Sequence, residues 1–391
     1  MPSPWKLGYP IKERLFSINK RGFYIYKIFI LIILVQIVIY LFLVIEPRYI
    51  YRTLRFHKAG ITSLATDNNY LYSGSLDGYL AIWDKSNLTV SRVLNLTESI
   101  SSIFVYNGFL AAASSNRLYI WNNTDFHLIR LILHPEAIKT VYIDDNYIYS
   151  GSYDNYIRIY NTDFKLIKKI RLEDSIWAIA TDNKYIYAAS RNNHIYVLNK
   201  TDFSVIKQLV AHHSIVMSIC TTERYLVSGS FDNNIIVWDK KDFQKIKILS
   251  GHKEGVWAVF CDNKYIYTGS DDTTIIVWDI ERLVPVKTLG IPYQTQYIFK
   301  ELLQWSEYPH QYGIKAISAD KNYIYSGSYD TTIKLWEKPP YTGKPEKQRH
   351  TAAGILITLI LLFFVFLYVE ISQKNGEACL DYQDNYDDKN I

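Results

Sequence analysis

The chain has 391 residues, and its 43 Lys and Arg against 38 Asp and Glu leave a net charge of +5, modest for that length. The basic residues are not gathered into a stripe, which excludes a nucleic-acid footprint. Three cysteines, Cys220, Cys261 and Cys379, are too few for a disulfide framework; the first two hold non-equivalent positions in predicted inner strands and are expected as core thiols.

Residues 1–22 form a basic N-terminal tail with Lys6, Lys12, Arg14, Lys20 and Arg21. Residues 23–46 follow as a predicted transmembrane helix, because IFILIILVQIVIYLFLVI (28–45) is apolar except for Gln36 and the aromatic-rich Phe23 to Tyr26 extends it. About 20 apolar residues match a hydrocarbon core of about 30 Å. No small-residue cleavage site precedes Glu46-Pro47, which argues against a signal peptide.

YRTLRF (51–56) reads as an orphan strand ahead of the first full repeat. From Ser73 to Trp336 one phrase then recurs seven times: SGSLDGYLAIW (73–83), AASSNRLYIW (112–121), SGSYDNYIRIY (150–160), AASRNNHIYVL (188–198), SGSFDNNIIVW (228–238), TGSDDTTIIVW (268–278) and SGSYDTTIKLW (326–336). The period is 38 to 40 residues, broken once by a step of 58. A second hairpin precedes each phrase, as in ITSLATDNNYLYSGS, so each repeat supplies four short strands of alternating pattern. One such sheet of about 40 residues cannot bury both faces, so the repeats stack radially into an all-β, seven-bladed propeller spanning 50–337.

The phrase resembles that of the WD-repeat (WD40) family, a Gly-His pair followed later by Trp-Asp. Gly251-His252 with Trp278-Asp279 matches it fully, and Trp83-Asp84 and Trp238-Asp239 keep the closing half. The resemblance implies a buried His, Ser or Thr, Asp and Trp set in each blade. Sixteen residues before the first Ser or Thr of the phrase stand His57, His134, His212, His252 and His310. The implied sets are His57, Ser73, Asp77 and Trp83; His212, Ser228, Asp232 and Trp238; His252, Thr268, Asp272 and Trp278; and His310, Ser326, Asp330 and Trp336. Blade three has Asp154 and substitutes Tyr160 for Trp, blade two has Ala112 and no His, and blade four has Leu172, Ala188, Asn192 and Leu198. Blades two and four are therefore expected to be the looser part of the ring. Histidines at equivalent positions of different blades cannot converge on one ion, so no metal is expected. In the family an N-terminal strand completes the last blade, the role expected of 51–56, since Lys338-Pro339-Pro340 cannot supply an outer strand.

Between blades six and seven an insertion, 291–309, places Ile298, Leu302 and Trp305 at helical spacing. It is expected either to cover the rim or to pack as decoration. A Pro/Lys linker (338–350), a second predicted transmembrane helix (351–372, apolar but for Thr358 across 352–369) and an acidic tail (373–391) close the chain. A multi-pass cell-membrane protein follows, with the lipid bilayer as one partner. The basic N-terminal tail argues for a cytoplasmic start and an external ring, while the acidic exit tail argues the reverse; the first span usually dominates, which tips the expectation toward an extracytoplasmic ring. Sequons at Asn87, Asn95, Asn122 and Asn199 permit glycosylation there, although an Asn-rich chain produces several by chance.

One rim of the ring is built from the residues just before each turn Asp and those early in each inner strand. Leu76, Tyr153, Arg191, Phe231, Asp271 and Tyr329 form the first group, and Thr62, Lys139, Trp177, Met217, Trp257 and Lys315 the second. Clustered aromatics, Met and Arg are the composition of a protein-binding hot spot, and propellers of this family commonly receive peptides or partner domains there. The competing account has Trp177 and Trp257 plug the central channel. No nucleophile and base recur in a catalytic phrase and no loop cradles phosphate, so an enzyme and a cofactor are not expected. A scaffold for an unknown protein or peptide is the leading reading; a small-ligand receptor or enzyme using the central funnel, or a structural subunit of a larger membrane complex, are its alternatives.

Overall fold

In a computed structural model, which describes residues 50–290 and 309–339, the chain forms seven four-stranded antiparallel sheets. The tails, both expected spans (23–46 and 351–372), the insertion up to residue 308 and most of the 338–350 linker lie outside the described residues. Among the described residues no helix is long and apolar enough to cross a membrane.

Blade one shows the plan: β2 (Ile61–Thr66), β3 (Tyr70–Ser75), β4 (Tyr79–Asp84) and β5 (Thr89–Asn95) pair in chain order. Blades two to six repeat it over 100–133, 138–171, 176–210, 216–250 and 256–289. Their first strands, β6 (Ile100–Tyr106), β10 (Ile138–Ile143), β14 (Ile176–Thr181), β18 (Val216–Thr221) and β22 (Val256–Cys261), pack side by side with β2 and β26 (Ile314–Ala319) around the axis. The turn after each second strand needs one left-handed residue. Gly78 supplies it at φ 79° and Asn155, Asn193 and Asn233 at about 70°, residues that tolerate this region, while Thr273 at 70° and Thr331 at 69° adopt it in blades six and seven.

Blade seven is completed by the N-terminal strand. β1 (Ile50–Arg55) pairs antiparallel with β28 (Thr332–Glu337), Ile50 opposite Trp336 and Arg55 opposite Thr332, so the ring begins and ends at the same pole. Leu54 enters one buried cluster with Ile61, Leu71 and Trp83 of blade one and Ile333 and Leu335 of blade seven, sealing the closure with apolar surface. The small residue inside the phrase has a packing reason. A Cβ on Gly327 would lie 2.4 Å from Ile61 of the next blade, so only glycine lets the inner strand approach there.

At the pole where the ring begins and ends, the opening hairpins carry a repeating device. Tyr72, Tyr149, Tyr187, Tyr267 and Tyr325 bury their rings and donate their hydroxyls to Asp67, Asp144, Asp182, Asp262 and Asp320. Four of these carboxylates also receive a lysine from the following blade: Lys200 on Asp144 at 2.6 Å, Lys240 on Asp182 at 2.7 Å, Lys338 on Asp262 and Lys85 on Asp320, both at 2.5 Å. Between blades five and six the same positions hold Thr222 and Ile280, which cannot pair.

Cys220 and Cys261 join that seam instead. They form a disulfide with their Cα atoms 5.8 Å apart, which corrects the expectation of two core thiols. Although one is the fifth and the other the sixth residue of its strand, adjacent inner strands converge at the channel and bring the two positions within bonding reach.

Candidate partner-binding rim

The opposite pole carries the rim, and a backbone irregularity builds it. In every inner strand the pairing slips at the second residue, from Ile138 to Thr140, Ile176 to Ala178, Val216 to Ser218, Val256 to Ala258 and Ile314 to Ala316. With the same slip from Ile61 to Ser63 and from Ile100 to Ser102, the residues passed over are Thr62, Ser101, Lys139, Trp177, Met217, Trp257 and Lys315. A bulge re-aims the side chain it carries, and here it does so once per blade. The first group, the residues before each turn Asp, is tied to the same place, because each residue after the second strand donates its backbone N–H to the loop that enters its own blade. Tyr153 bonds Ala137 at 2.9 Å, Arg191 bonds Ser175 at 2.9 Å, Phe231 bonds Ile215 and Asp271 bonds Gly255 at 3.0 Å, and Tyr329 bonds Gly313 at 3.3 Å.

Side chains of neighbouring blades then meet in pairs. Tyr153 stands edge-on to Trp177 with centroids 6.1 Å apart, and Phe231 edge-on to Trp257 at 5.7 Å. Lys139 places its ammonium 4.3 Å over the Trp177 ring and 5.3 Å from Tyr153. Lys315 lies 3.4 Å over Trp257 and 4.6 Å from Tyr329, and forms an ion pair with Asp271. The Asp271 carboxylate also accepts the Trp257 indole N–H at 2.5 Å. Burial pushes the Lys315 ammonium below its usual range, against the pull of Asp271.

Not every predicted rim residue reaches solvent. Met217 is 8% exposed and the Lys315 side chain 7%, because neighbouring blades close over both, so neither offers a contact surface and the hot-spot assignment is corrected for these two. Leu76, Tyr153, Phe231 and Tyr329 are 42–46% exposed, all at the same register position of their blades. The half-buried Thr62 bonds the carbonyls of Gly74 and Ile100 and serves the blade one to two seam. The inner strands also line a central cavity whose wall includes Thr62, Lys139, Trp177, Met217, Trp257 and Lys315, so the two tryptophans border both rim and channel.

Beneath the rim lie the blade networks. His57 bonds Ser73 at 2.8 Å and Asp77 at 3.1 Å, and the Trp83 indole donates to Ser73 at 2.8 Å. His212 with Ser228, Asp232 and Trp238, His252 with Thr268, Asp272 and Trp278, and His310 with Ser326, Asp330 and Trp336 repeat this at 2.7–3.0 Å. Burial raises the Asp330 carboxyl, but the attraction of His310 and the bonds from Thr332 outweigh it and hold the group below the usual range. In blade three the arrangement differs. Arg158 captures Asp154 as an ion pair and takes its place beside His134 Nδ1 at 3.4 Å, while Nε2 meets Tyr160 at 3.0 Å and Ser150 at 3.4 Å. Burial and then the Arg158 charge hold the His134 imidazole down at about 4. In blade four the lost set is replaced by the apolar, buried Leu172, Ala188 and Leu198, and Asn192 turns to the Tyr196 hydroxyl at 2.8 Å.

A sequence profile described as "WD domain, G-beta repeat" matches residues 48–84, 128–161, 203–239, 243–279 and 303–337. The two phrases it passes over are those of blades two and four, the blades without the His and Ser. Among curated proteins none matches the chain. The strand order, the radial stacking and the five matched segments agree: the chain carries WD40 repeats, arranged as the blades of a seven-bladed β-propeller.

Proposed function

We propose that this protein is a membrane-anchored docking platform, which acts by holding a protein or peptide on the rim of its propeller rather than by catalysis. WD40 propellers commonly serve as protein-interaction scaffolds, and the observation that carries the reading is the exposure of Leu76, Tyr153, Phe231 and Tyr329 around one rim, at the same register position of blades one, three, five and seven. Trp177 backs Tyr153 and Trp257 backs Phe231, so these two aromatics are held rigid before a partner arrives.

Anchoring rests on the apolar stretches 23–46 and 351–372, with support from the pairing of Ile50 with Trp336, which sends both ends of the ring out at the pole opposite the rim. The Cys220 to Cys261 disulfide supports an extracytoplasmic ring, because such bonds persist in oxidising compartments. The test is a pull-down from solubilised membranes with intact protein and a Trp177→Ala, Phe231→Ala, Trp257→Ala triple variant of verified fold. Loss of partners from the variant is expected; equal recovery by both would end the docking reading.

A further inference from the structure

Two sectors of the rim are built alike but paired differently. Beside blade six the Asp271 carboxylate accepts the Trp257 indole N–H and the Lys315 ammonium, so both donors are satisfied within the ring. Blade four has the same scaffold without the carboxylate. Trp177 matches Trp257 as the second residue of its inner strand, and Arg191 matches Asp271 as the residue after the second strand. The two indoles hold the same pose, each met edge-on by the aromatic of the preceding blade, at 88° for Tyr153 and 80° for Phe231.

With the acceptor replaced by Arg191, the Trp177 Nε1 is buried with no hydrogen-bond partner. Lys139 stacks 4.3 Å over that ring, and among the described residues neither Lys139 nor Arg191 has an acidic partner. One cation thus lies on the ring of an orphaned donor, and Arg191, a second, stands at the chain position where blade six places an anion. Buried donors are normally paired, so the Trp177 indole N–H calls for an acceptor that the ring itself does not supply.

We propose that the sector between blades three and four takes an aspartate or glutamate side chain of a partner peptide, in the role that Asp271 plays internally beside blade six. The carboxylate accepts from Trp177 Nε1 and lies between the Lys139 ammonium and the Arg191 guanidinium, while the flanking residues of the peptide run over Tyr153. A side chain is favoured over a chain terminus because the internal template is itself an aspartate side chain reaching over from a turn. This inference rests on the docking reading and adds to it the chemistry that the partner must present.

The test uses the full chain in detergent and fluorescently labelled octapeptides with blocked ends, carrying one central Asp or the isosteric Asn, together with an all-neutral octapeptide ending in a free carboxylate. The Asp peptide is expected to bind about tenfold more tightly than the Asn peptide. Arg191→Asp, at an exposed position, supplies the missing acceptor from within and is expected to erase that preference while the thermal midpoint holds. Equal binding of the Asp and Asn peptides, their common failure to bind, a preference that survives Arg191→Asp, or binding confined to the free terminus would each overturn the proposal. Partners captured through the rim without any Asp preference would remove the carboxylate alone and leave docking in place; loss of both would remove both.

Discussion

Lys240 of blade five reaches across its seam to the Asp182 carboxylate of blade four at 2.7 Å, while the same ammonium bonds the Thr222 carbonyl of its own blade, also at 2.7 Å. Tyr187 donates to that carboxylate at 2.9 Å, so three strands of two sheets meet on one side chain. Burial raises the Asp182 carboxyl, yet the Lys240 contact and the backbone bonds of its turn outweigh this and hold it below the usual range.

Removing the lysine leaves a half-buried carboxylate without its counter-charge. Lys240→Met is expected to destabilise the ring by about 2–4 kcal/mol, whereas Lys241→Met, exposed one residue on, should change stability by less than about 0.5 kcal/mol. Urea midpoints at unchanged slope measure both. Equal effects would show that the latch is a surface pair of no consequence.

In blade six, the Thr268 hydroxyl accepts from the Trp278 indole at 2.9 Å and shares a hydrogen bond with His252 Nε2 at 2.8 Å. Thr268→Val therefore orphans two buried groups, at a cost of about 2–4 kcal/mol. Combining it with His252→Leu should cost less than the sum of the two single changes, because blade four tolerates a matching apolar replacement at Leu172 and Ala188. A double-mutant cycle on the urea midpoints checks this, and strict additivity would refute it.

His134 gives the ring an acid-sensitive side chain. Its folded value of about 4 lies below the ordinary 6.5, so between those limits the unfolded chain binds a proton that the fold refuses. Stability contributed there is complete above pH 6.5 and is lost as pH falls to about 4, by about 3 kcal/mol. Asp232, held down at about 2 with burial opposing and His212 favouring the charged form, adds a separate loss between about pH 4 and 2. Unfolding midpoints compared at pH 7 and 4.5 should fall less in His134→Asn than in the unaltered protein. Identical acid sensitivity would contradict the assignment.

The disulfide closes a loop of 41 residues, for which a chain-entropy description gives about 3–4 kcal/mol. Reductant should lower the thermal midpoint of the unaltered ring and leave Cys220→Ser unchanged. Alkylation before and after reduction of protein taken from its native membrane should reveal two masked thiols. Free thiols there would remove the support for an oxidising surround.

The repeat was legible because its spacing is strict: a 38 to 40-residue period, five histidines sixteen residues ahead of the phrase, and an orphan strand with no other edge to join. What escaped notice depends on contacts between copies. The Lys240 latch pairs residues that a reading within one repeat never sets side by side, and the sulfurs of Cys220 and Cys261 meet only because inner strands converge. Arg158, an ordinary polar residue at an alternating strand position, gave no sign that it would take Asp154 from His134. The bulge that aims Lys139 and Trp177 leaves no mark in a period-two pattern, since it is a slip in pairing and not in composition.

Thr53 accepts a hydrogen bond from Lys334 at 3.2 Å, across a sequence separation of 281 residues. A ribosome must therefore finish almost the whole ring before its first strand finds a partner. Until then the nascent molecule carries β1 as an unsatisfied edge and the neighbouring apolar cluster half made, and joining ends so distant in sequence is the slowest kind of step that a polypeptide makes. Whatever shields newly made copies from aggregating must act on that opening segment for most of the time that synthesis takes.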